Sequence, residues 1–268
     1  MQYNLLLNER EQMGERMLSK YFDINEHGCS IRCKLYCMDA RAVRRVIVFC
    51  HGFGGHKDNH AAETFAGRSV TKRKGTAVVT FDWPCHGSDA RKNLLIEDCD
   101  TYLTTVIDYV KDRFGTDELY AYGTSFGGYL LLRYLADHGN PFCKVALRCP
   151  AIDMLNTLLD AIATQEDKDN LAHGKPVLVG FDRKVRIGPQ FVESLQAVDL
   201  REVPYFDYAD DIIIAHGTAD EIVPFADSEQ FADDNVIEFV PIDGADHRFR
   251  DPKKMDAVVA LFIEFFGL

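Results

Sequence analysis

The sequence predicts an α/β fold in which a mostly parallel sheet carries helices on both faces. Compact apolar runs at 46–50 and 76–81 are typical of strands covered on both sides. Segments with helical spacing of apolar residues follow them, and this alternation predicts parallel strands joined by helices. At 268 residues the chain is long enough for one large α/β domain, or for such a domain with an insertion.

The first elements lead up to this alternation. Residues 1–28 are polar and predict an irregular or helical lead-in, and 31–37 alternates as an edge strand does. Helices are expected over 59–74 and 98–114, the second ended by Gly115.

A serine flanked by glycines stands at the centre of the chain. Gly123-Thr124-Ser125-Phe126-Gly127 joins a short predicted strand that begins at Leu119 to an apolar helix that runs through Leu135. A serine on so tight a strand-to-helix turn exposes its hydroxyl, and the glycines avoid collisions with neighbouring main chain. The amide of Phe126 begins the helix, where it can stabilise a negative charge that forms beside Ser125. A plain glycine-rich loop is the alternative, which the flanking strand and helix disfavour.

A second glycine-rich turn, His51-Gly52-Phe53-Gly54-Gly55, follows the strand at 46–50. We expect the amide of Phe53 to be the second donor of an oxyanion hole, together with Phe126. An ordinary β-to-α turn is the alternative. His51 is expected to brace this loop by a hydrogen bond.

The alternation breaks after the predicted strand at 144–148. Segment 154–204 contains one apolar helical face, a polar run at 164–170, a predicted hairpin within 175–188 and a short helix within 189–200. Because the segment leaves from the carboxyl side of a strand, we predict a cap over that end of the sheet. The core then comprises 1–153 and 205–268. The alternative is a peripheral insertion that only lengthens the domain.

The core resumes with a strand at 212–215, a helix at 225–233, a strand at 236–241 and a closing helix at 255–266. Asp220 lies in the turn after the first of these strands, and His247 follows the last one. A serine hydroxyl needs a base within reach, and the base needs an acid that fixes its tautomer. Ser125, Asp220 and His247 therefore form a candidate catalytic triad, since all three follow strands of one parallel sheet.

Other carboxylates compete for the acid role. Asp153 also follows a core strand and is the main rival of Asp220. Asp246 is too close to His247 in sequence to reach its ring comfortably. Asp82 is better explained as a carboxylate that accepts hydrogen bonds from loop amides.

Composition excludes several function classes. A net charge of −12 without an offsetting basic cluster argues against nucleic acid and anionic membrane surfaces as partners. No secretory signal is recognisable, and no apolar run approaches 18 residues, so a cytoplasmic location is expected.

The eight cysteines are expected to be structural thiols. We expect neither a metal nor a cofactor, because the loop histidines lack carboxylates at ligand spacing, these histidines being His51, His56, His60 and His86.

Over nearly its whole length, the chain resembles the α/β-hydrolase superfamily. The motifs that carry the resemblance are His51-Gly52-Phe53-Gly54-Gly55, Asp82-Trp83-Pro84-Cys85-His86-Gly87-Ser88, Gly123-Thr124-Ser125-Phe126-Gly127-Gly128, His216-Gly217-Thr218-Ala219-Asp220-Glu221-Ile222-Val223-Pro224 and Gly244-Ala245-Asp246-His247. The resemblance implies an eight-stranded, mostly parallel sheet and hydrolysis through an acyl-enzyme. The His-Gly-Phe turn and the short cap with a hairpin are similar to bacterial cinnamoyl (feruloyl) esterases, and also to monoacylglycerol-lipase-like and serine-aminopeptidase-like relatives. Cys85 departs from the pattern, since many relatives have glycine there.

The expected activity is therefore hydrolysis of small esters with aromatic or short aliphatic acyl groups, by a monomer or a homodimer. An apolar pocket is expected around Phe53 and Phe126, with the further lining residues Gly52, Gly54, Leu155, Leu158 and Leu159. Peptidase or amidase action is an alternative that needs a carboxylate for the substrate ammonium, from Glu166, Asp167 or Asp169. A binding module with an inactive site is the other alternative.

Overall fold

The computed structural model describes residues 17–87 and 92–268, and its centre is an eight-stranded sheet. The strand order is β1-β2-β4-β3-β5-β6-β9-β10. The strands of this sheet are β1 Leu18–Ile24, β2 Ile31–Cys37, β3 Arg45–Cys50, β4 Thr76–Phe81, β5 Glu118–Thr124, β6 Lys144–Arg148, β9 Ile212–Gly217 and β10 Glu238–Ile242.

The sheet is mostly parallel, as predicted. Strand β2 runs antiparallel to both of its neighbours, and the other neighbouring strands pair in parallel. The carboxyl ends of β3, β5, β6, β9 and β10 therefore meet at one rim of the sheet, where the loops of the candidate site begin.

The predicted position of the edge strand was wrong. The edge strand is β1, within the stretch expected to be an irregular or helical lead-in, whereas β2 lies one position inside. The side chains of β1 are mostly exposed, so the strand lacks the buried apolar face that sequence patterns detect. The charged residues Lys20 and Asp23 of this edge strand are of the kind that discourages pairing with other chains, although Leu18 and Tyr21 are also exposed. The rest of that lead-in, residues 1–16, lies outside the described residues.

Helices cover both faces of the sheet. The helices outside the inserted segment are α1 His60–Lys72, α2 Ile96–Phe114, α3 Phe126–His138, α7 Phe225–Asn235 and α8 Pro252–Phe265. Helices α1 and α8 pack on one face, while α2, α3 and α7 contribute to the larger core on the other. Their termini follow local chemistry, since Asn59 caps α1 by accepting the Ala62 amide at 2.8 Å and Gly115 ends α2 in the left-handed conformation.

Segment 154–204 lies between β6 and β9, which are hydrogen-bonded neighbours in the sheet. The predicted hairpin is present as an antiparallel pair, and the predicted polar run at 164–170 is instead part of a helix that starts with a capping box formed by Thr164 and Asp167. The elements of the segment are α4 Met154–Asn156, a π-helical turn at Thr157–Ile162, α5 Gln165–Ala172, β7 Val177–Val179, β8 Val185–Ile187 and α6 Pro189–Gln196.

Within the described ranges, none of the helices combines the length and apolar character that a membrane crossing requires.

Candidate active site

Ser125 lies on a strained turn between β5 and α3. Its backbone has φ 52° and ψ −119°, a conformation that side-chain-bearing residues rarely adopt. Two kinds of main-chain contact hold it there: its amide donates to the carbonyl of Arg148 at 3.0 Å, and its carbonyl accepts from Ala151 at 3.2 Å. The turn therefore presents a half-buried side chain at the rim of the sheet.

Close backbone packing explains the glycines of this turn. A Cβ at Gly127 would collide with the carbonyl oxygen of Cys50, at the end of β3. A Cβ at Gly123 would lie 2.8 Å from the Cα of Gly128. We call the turn at residues 123–128 the elbow. It forms because Gly127 leaves room for the end of β3 and Gly123 leaves room for Gly128.

The second glycine-rich turn lies directly against the elbow. A Cβ at Gly52 would lie 3.2 Å from the Cβ of Ser125, so the turn after β3 and the turn after β5 are in contact. Within the described ranges, the amides of Phe53 and Phe126 donate to no other protein group. The two rings pack edge to face at 5.6 Å, and both amides are available to an acceptor beside Ser125.

His51 makes the predicted bracing contact. Its Nδ1 lies 2.8 Å from the carbonyl oxygen of Gly52, and its Nε2 accepts from the Trp83 amide at 3.3 Å. Burial, together with the neighbouring His86, holds the pKa of His51 well below its ordinary value. His51 is therefore a neutral structural residue of the loop.

Asp220 and His247 form the closest acid–base contact at this rim. The Asp220 Oδ2 atom lies 2.7 Å from His247 Nδ1, and the carboxylate is fully buried. The other oxygen, Oδ1, accepts the amides of Ile222 and Val223 at 2.9 and 2.8 Å. Burial opposes ionisation, but hydrogen bonds from His216 and His247 outweigh it and leave the pKa of Asp220 well below its ordinary value. The carboxylate is thus ionised and fixes the ring orientation of His247.

His216 is a partner of Asp220 that sequence reasoning did not assign. Its fully buried Nε2 lies 3.1 Å from Asp220 Oδ2 and 3.2 Å from the carbonyl oxygen of Val223. Donor atoms of Cys149, His216 and Asp220 also lie within 4.8 Å of one another. Because both Asp220 oxygens and the His216 Nε2 already have protein partners, we interpret this group as a hydrogen-bonded support of the acid. The signal in the sequence was a histidine four residues before the acid, at the end of a strand.

The rival carboxylates have other partners. Asp153 accepts the Asn156 amide at 3.0 Å and pairs with Arg201 at 3.0 Å. Asp246 pairs with Arg250 at 2.9 Å.

Asp82 accepts both the amide and the ammonium of Lys57, at 2.7 and 2.9 Å, which is the loop-capping role expected for it. In the same loop, Cys85 adopts a φ of 61°, so the left-handed turn forms although a cysteine replaces the glycine. Ser88, the last residue of that motif, lies outside the described residues.

Ser125 and His247 line one cavity of about 340 Å³. Within the described ranges, Ser125 Oγ and His247 Nε2 hydrogen-bond to no other group. Both atoms are therefore free of other protein partners in residues that line the cavity, and catalytic hydrogen bonds often tighten only when substrate is bound.

The residues that line the cavity differ in part from those predicted to line the pocket. Gly52, Phe53 and Gly54 line it, whereas Phe126 is fully buried beneath the elbow. The leucines predicted to line it do not: Leu158 is buried in the core, and Leu155 and Leu159 are also absent from the lining. Leu155 and Leu158 pack with the larger core instead, while Ile162, the last residue of the π-helical turn, reaches the cavity. Segment 154–204 contributes other residues to the wall, namely Ile162, Phe181, Asp182 and Arg183.

The acidic residues considered for binding an ammonium lie elsewhere. Glu166, Asp167 and Asp169 belong to α5 and do not line the cavity. Among the described lining residues, Asp182 carries the only carboxylate at the wall, and it pairs with Arg248 at 2.8 Å.

Comparisons with known proteins agree with this architecture. Residues 45–183 match the sequence model of the family described as alpha/beta hydrolase fold. None of the curated protein sequences compared with the chain matches it significantly.

Solved structures are similar over nearly the whole chain. Est1E from Butyrivibrio proteoclasticus, solved with ferulic acid bound, is 19% identical, with a TM-score of 0.74 over 92% of this chain and 100% of its own. A putative hydrolase from Agrobacterium vitis S4 is 17% identical, with a TM-score of 0.72 over 94% and 99% of the two chains. Alpha/beta hydrolase domain-containing protein 10 from mouse is 18% identical, with a TM-score of 0.70 over 92% and 98%.

Proposed function

The chain belongs to the alpha/beta hydrolase fold family, and on that premise we propose that it is a serine carboxylesterase that works through an acyl-enzyme. In this proposal Ser125 is the nucleophile, His247 the general base and Asp220 the orienting acid. The observation that carries it is the buried, ionised Asp220 bound to His247, which shares one cavity with Ser125 on its strained turn.

The first half of the reaction forms the acyl-enzyme. His247 Nε2 takes the proton of Ser125 Oγ while that oxygen bonds to the ester carbonyl carbon. The Nδ1–H of His247 donates to Asp220, so the carboxylate selects the tautomer with a free Nε2 and stabilises the imidazolium that forms.

The amides of Phe53 and Phe126 stabilise the negative carbonyl oxygen of the tetrahedral intermediate. Support comes from their positions on two touching turns and from the absence of other acceptors for them in the described chain. Each donor of this kind contributes about 3 kcal/mol to transition-state stabilisation.

The second half releases the product. The alcohol oxygen leaves with the proton from His247 as the carbon–oxygen bond breaks, and His247 then takes a proton from water. The hydroxyl adds to the acyl carbon, and Ser125 leaves with the proton, so the acid product is released and the free enzyme is restored.

Small esters, including those with aromatic acyl groups, suit the cavity best. Its volume is about 340 Å³, and Phe53, Ile162, Phe181 and Ile222 supply apolar wall. Est1E, which has a similar fold, was solved with ferulic acid bound. We also propose that segment 154–204 acts as a cap, since residues of that segment form one wall. Amidase action on an ammonium-bearing substrate is disfavoured, because Asp182, the only acid among the described lining residues, is paired with Arg248.

A panel of p-nitrophenyl esters of increasing acyl length, together with methyl ferulate, tests this function. We expect hydrolysis of short or aromatic esters, covalent labelling by a fluorophosphonate, and a fall in kcat of about 10⁵-fold or more in Ser125→Ala. Ser30→Ala, which changes an exposed serine, is the matched control and should keep both activity and labelling. Unchanged hydrolysis in Ser125→Ala would refute the assignment.

A further inference from the structure

Three lysine or arginine side chains are buried in the described chain, and one of them differs from the other two. Lys34 lies 3.2 Å from Asp58, and Arg45 lies 3.0 Å from Glu118. Arg148 is 7% exposed and has no described carboxylate within ion-pair distance. An unpaired buried charge is costly, and an anion bound beside Arg148 would offset that cost.

Arg148 is the last residue of β6 and lines the same cavity as Ser125. Its carbonyl accepts the Ser125 amide, and its guanidinium lies 5.1 Å from the centre of the Phe249 ring. One guanidinium nitrogen, Nη1, contacts the sulfur of Met255 at 3.4 Å, and Nε has no hydrogen-bond partner in the described chain. The buried Tyr122 hydroxyl is a further polar neighbour of Arg148, since burial raises the pKa of Tyr122 and the guanidinium opposes that rise. None of these neighbours is anionic, and they leave part of the hydrogen-bonding capacity of a group with five donors unused.

The cavity as a whole is basic, although the chain carries a net charge of −12. Its described lining includes Arg148, Arg183 and Arg248 but only one carboxylate, that of Asp182. Asp182 is 81% exposed at its side chain and pairs with Arg248, whereas Arg183 has no ion-pair partner among the described residues. The buried Arg148 and the more exposed Arg183 and Arg248 therefore favour a negatively charged ligand.

We propose that the cavity selects esters that carry a carboxylate on one half of the molecule, and that Arg148 binds this carboxylate. This inference rests on the proposed esterase function and adds the substrate class to it. A carboxylate matches a guanidinium because its two oxygens accept parallel N–H bonds, and such charge-assisted pairs are strong when water is excluded. Arg183 and Arg248 would attract the anion at the outer part of the cavity, an effect that salt screens.

Two matched pairs of substrates test the proposal and show which half carries the charge. The acyl arm compares the mono-p-nitrophenyl ester of adipic acid with its methyl ester, after subtraction of the uncatalysed rates. The alcohol arm compares the acetate esters of 4-hydroxybenzoate and of methyl 4-hydroxybenzoate. In one arm we expect kcat/KM to favour the anionic member by about 10- to 100-fold, the usual effect of a hydrogen-bonded charge.

Variants assign this preference to a residue. Arg148→Met keeps similar volume without charge and should bring the anionic-to-neutral ratio close to one, while Arg113→Met, on the exposed end of α2, should leave the ratio as it is. Thermal melting checks that Arg148→Met is folded. If it is not, inhibition of the unaltered protein decides: adipate should compete with a neutral ester, and the neutral dimethyl adipate should compete about 10-fold or more weakly.

Each outcome bears on one proposal. Hydrolysis of neutral esters without a preference in either arm, or a preference that survives in Arg148→Met, overturns the role of Arg148. Absence of hydrolysis of every ester, together with absence of fluorophosphonate labelling, contradicts the esterase function itself.

Discussion

The two walls of the cavity are built in different ways. The core wall consists of turns at strand ends, where backbone contacts fix each residue: Gly52 touches the elbow, and Ser125 is tied to Arg148. Behind this wall, the buried Asp220 accepts two loop amides. The wall from segment 154–204 consists of side chains such as Ile162 and Phe181, the second of which is 44% exposed. The candidate catalytic residues are thus held by main-chain contacts, whereas the wall from segment 154–204 offers exposed side chains that can change without disturbing those contacts.

Substitution of Asp220, which is buried behind the core wall, should have the largest effect on kcat. We expect Asp220→Asn to lower kcat for a p-nitrophenyl ester by about 10⁴-fold, because the asparagine would hold His247 in the wrong tautomer. Asp153→Asn changes the rival acid, whose partners are Asn156 and Arg201, and should leave kcat nearly unaltered. Steady-state kinetics of both variants decide between the two acids, and a larger loss in Asp153→Asn would reverse the assignment.

Backbone packing on the core wall is tested by adding one methyl group. Gly127→Ala places a Cβ against the carbonyl of Cys50 and should lower the free energy of unfolding by about 1–3 kcal/mol, with loss of activity as the elbow shifts. Gly67→Ala is the matched control on α1, where a Cβ would meet nothing within 4 Å, and it should stabilise by up to about 1 kcal/mol. Urea titrations measure both. Equal effects at the two glycines would mean that the elbow has room to adjust.

Substrate fit and stability should separate in the inserted segment. Phe181→Ala should reduce kcat/KM for aromatic acyl esters by about 10-fold relative to acetate, with a stability change within about 0.5 kcal/mol, because the ring is half exposed at the cavity. Leu158→Ala should do the reverse, since its side chain is fully buried: a loss of about 2–5 kcal/mol without a change in acyl preference. A shift of acyl preference in Leu158→Ala would show that the two functions are not separable.

Sequence patterns predicted the fold through its centre and failed at its edge. The buried parallel strands are continuous apolar runs, so β3 and β4 were recognisable, and the glycines of the elbow follow from contacts that admit no Cβ. Strand β1 was missed because its exposed side chains carry no apolar pattern, although its backbone pairs fully with β2.

The candidate site was also predictable only in part from the sequence. The approach of His247 to Asp220 was predictable, because both follow strands that prove to be neighbours, β9 and β10. The lining leucines were predicted from α-helical spacing, which the π-helical turn at 157–162 replaces by a wider one. The buried position of Arg148 depends on which face of β6 it occupies and on what packs there, neither of which local sequence specifies.

The direct pairing of β6 with β9 has a consequence for engineering. Residues 154–204 depart from one strand and the chain returns on its immediate neighbour, so the two ends of the segment lie close together. Replacement of the whole segment would uncover the larger core, because Leu158, Ile187 and Phe191 are fully buried in it. The exposed tip of the hairpin at 181–184 touches the cavity without belonging to that core, so this tip is the natural graft point for a foreign sequence.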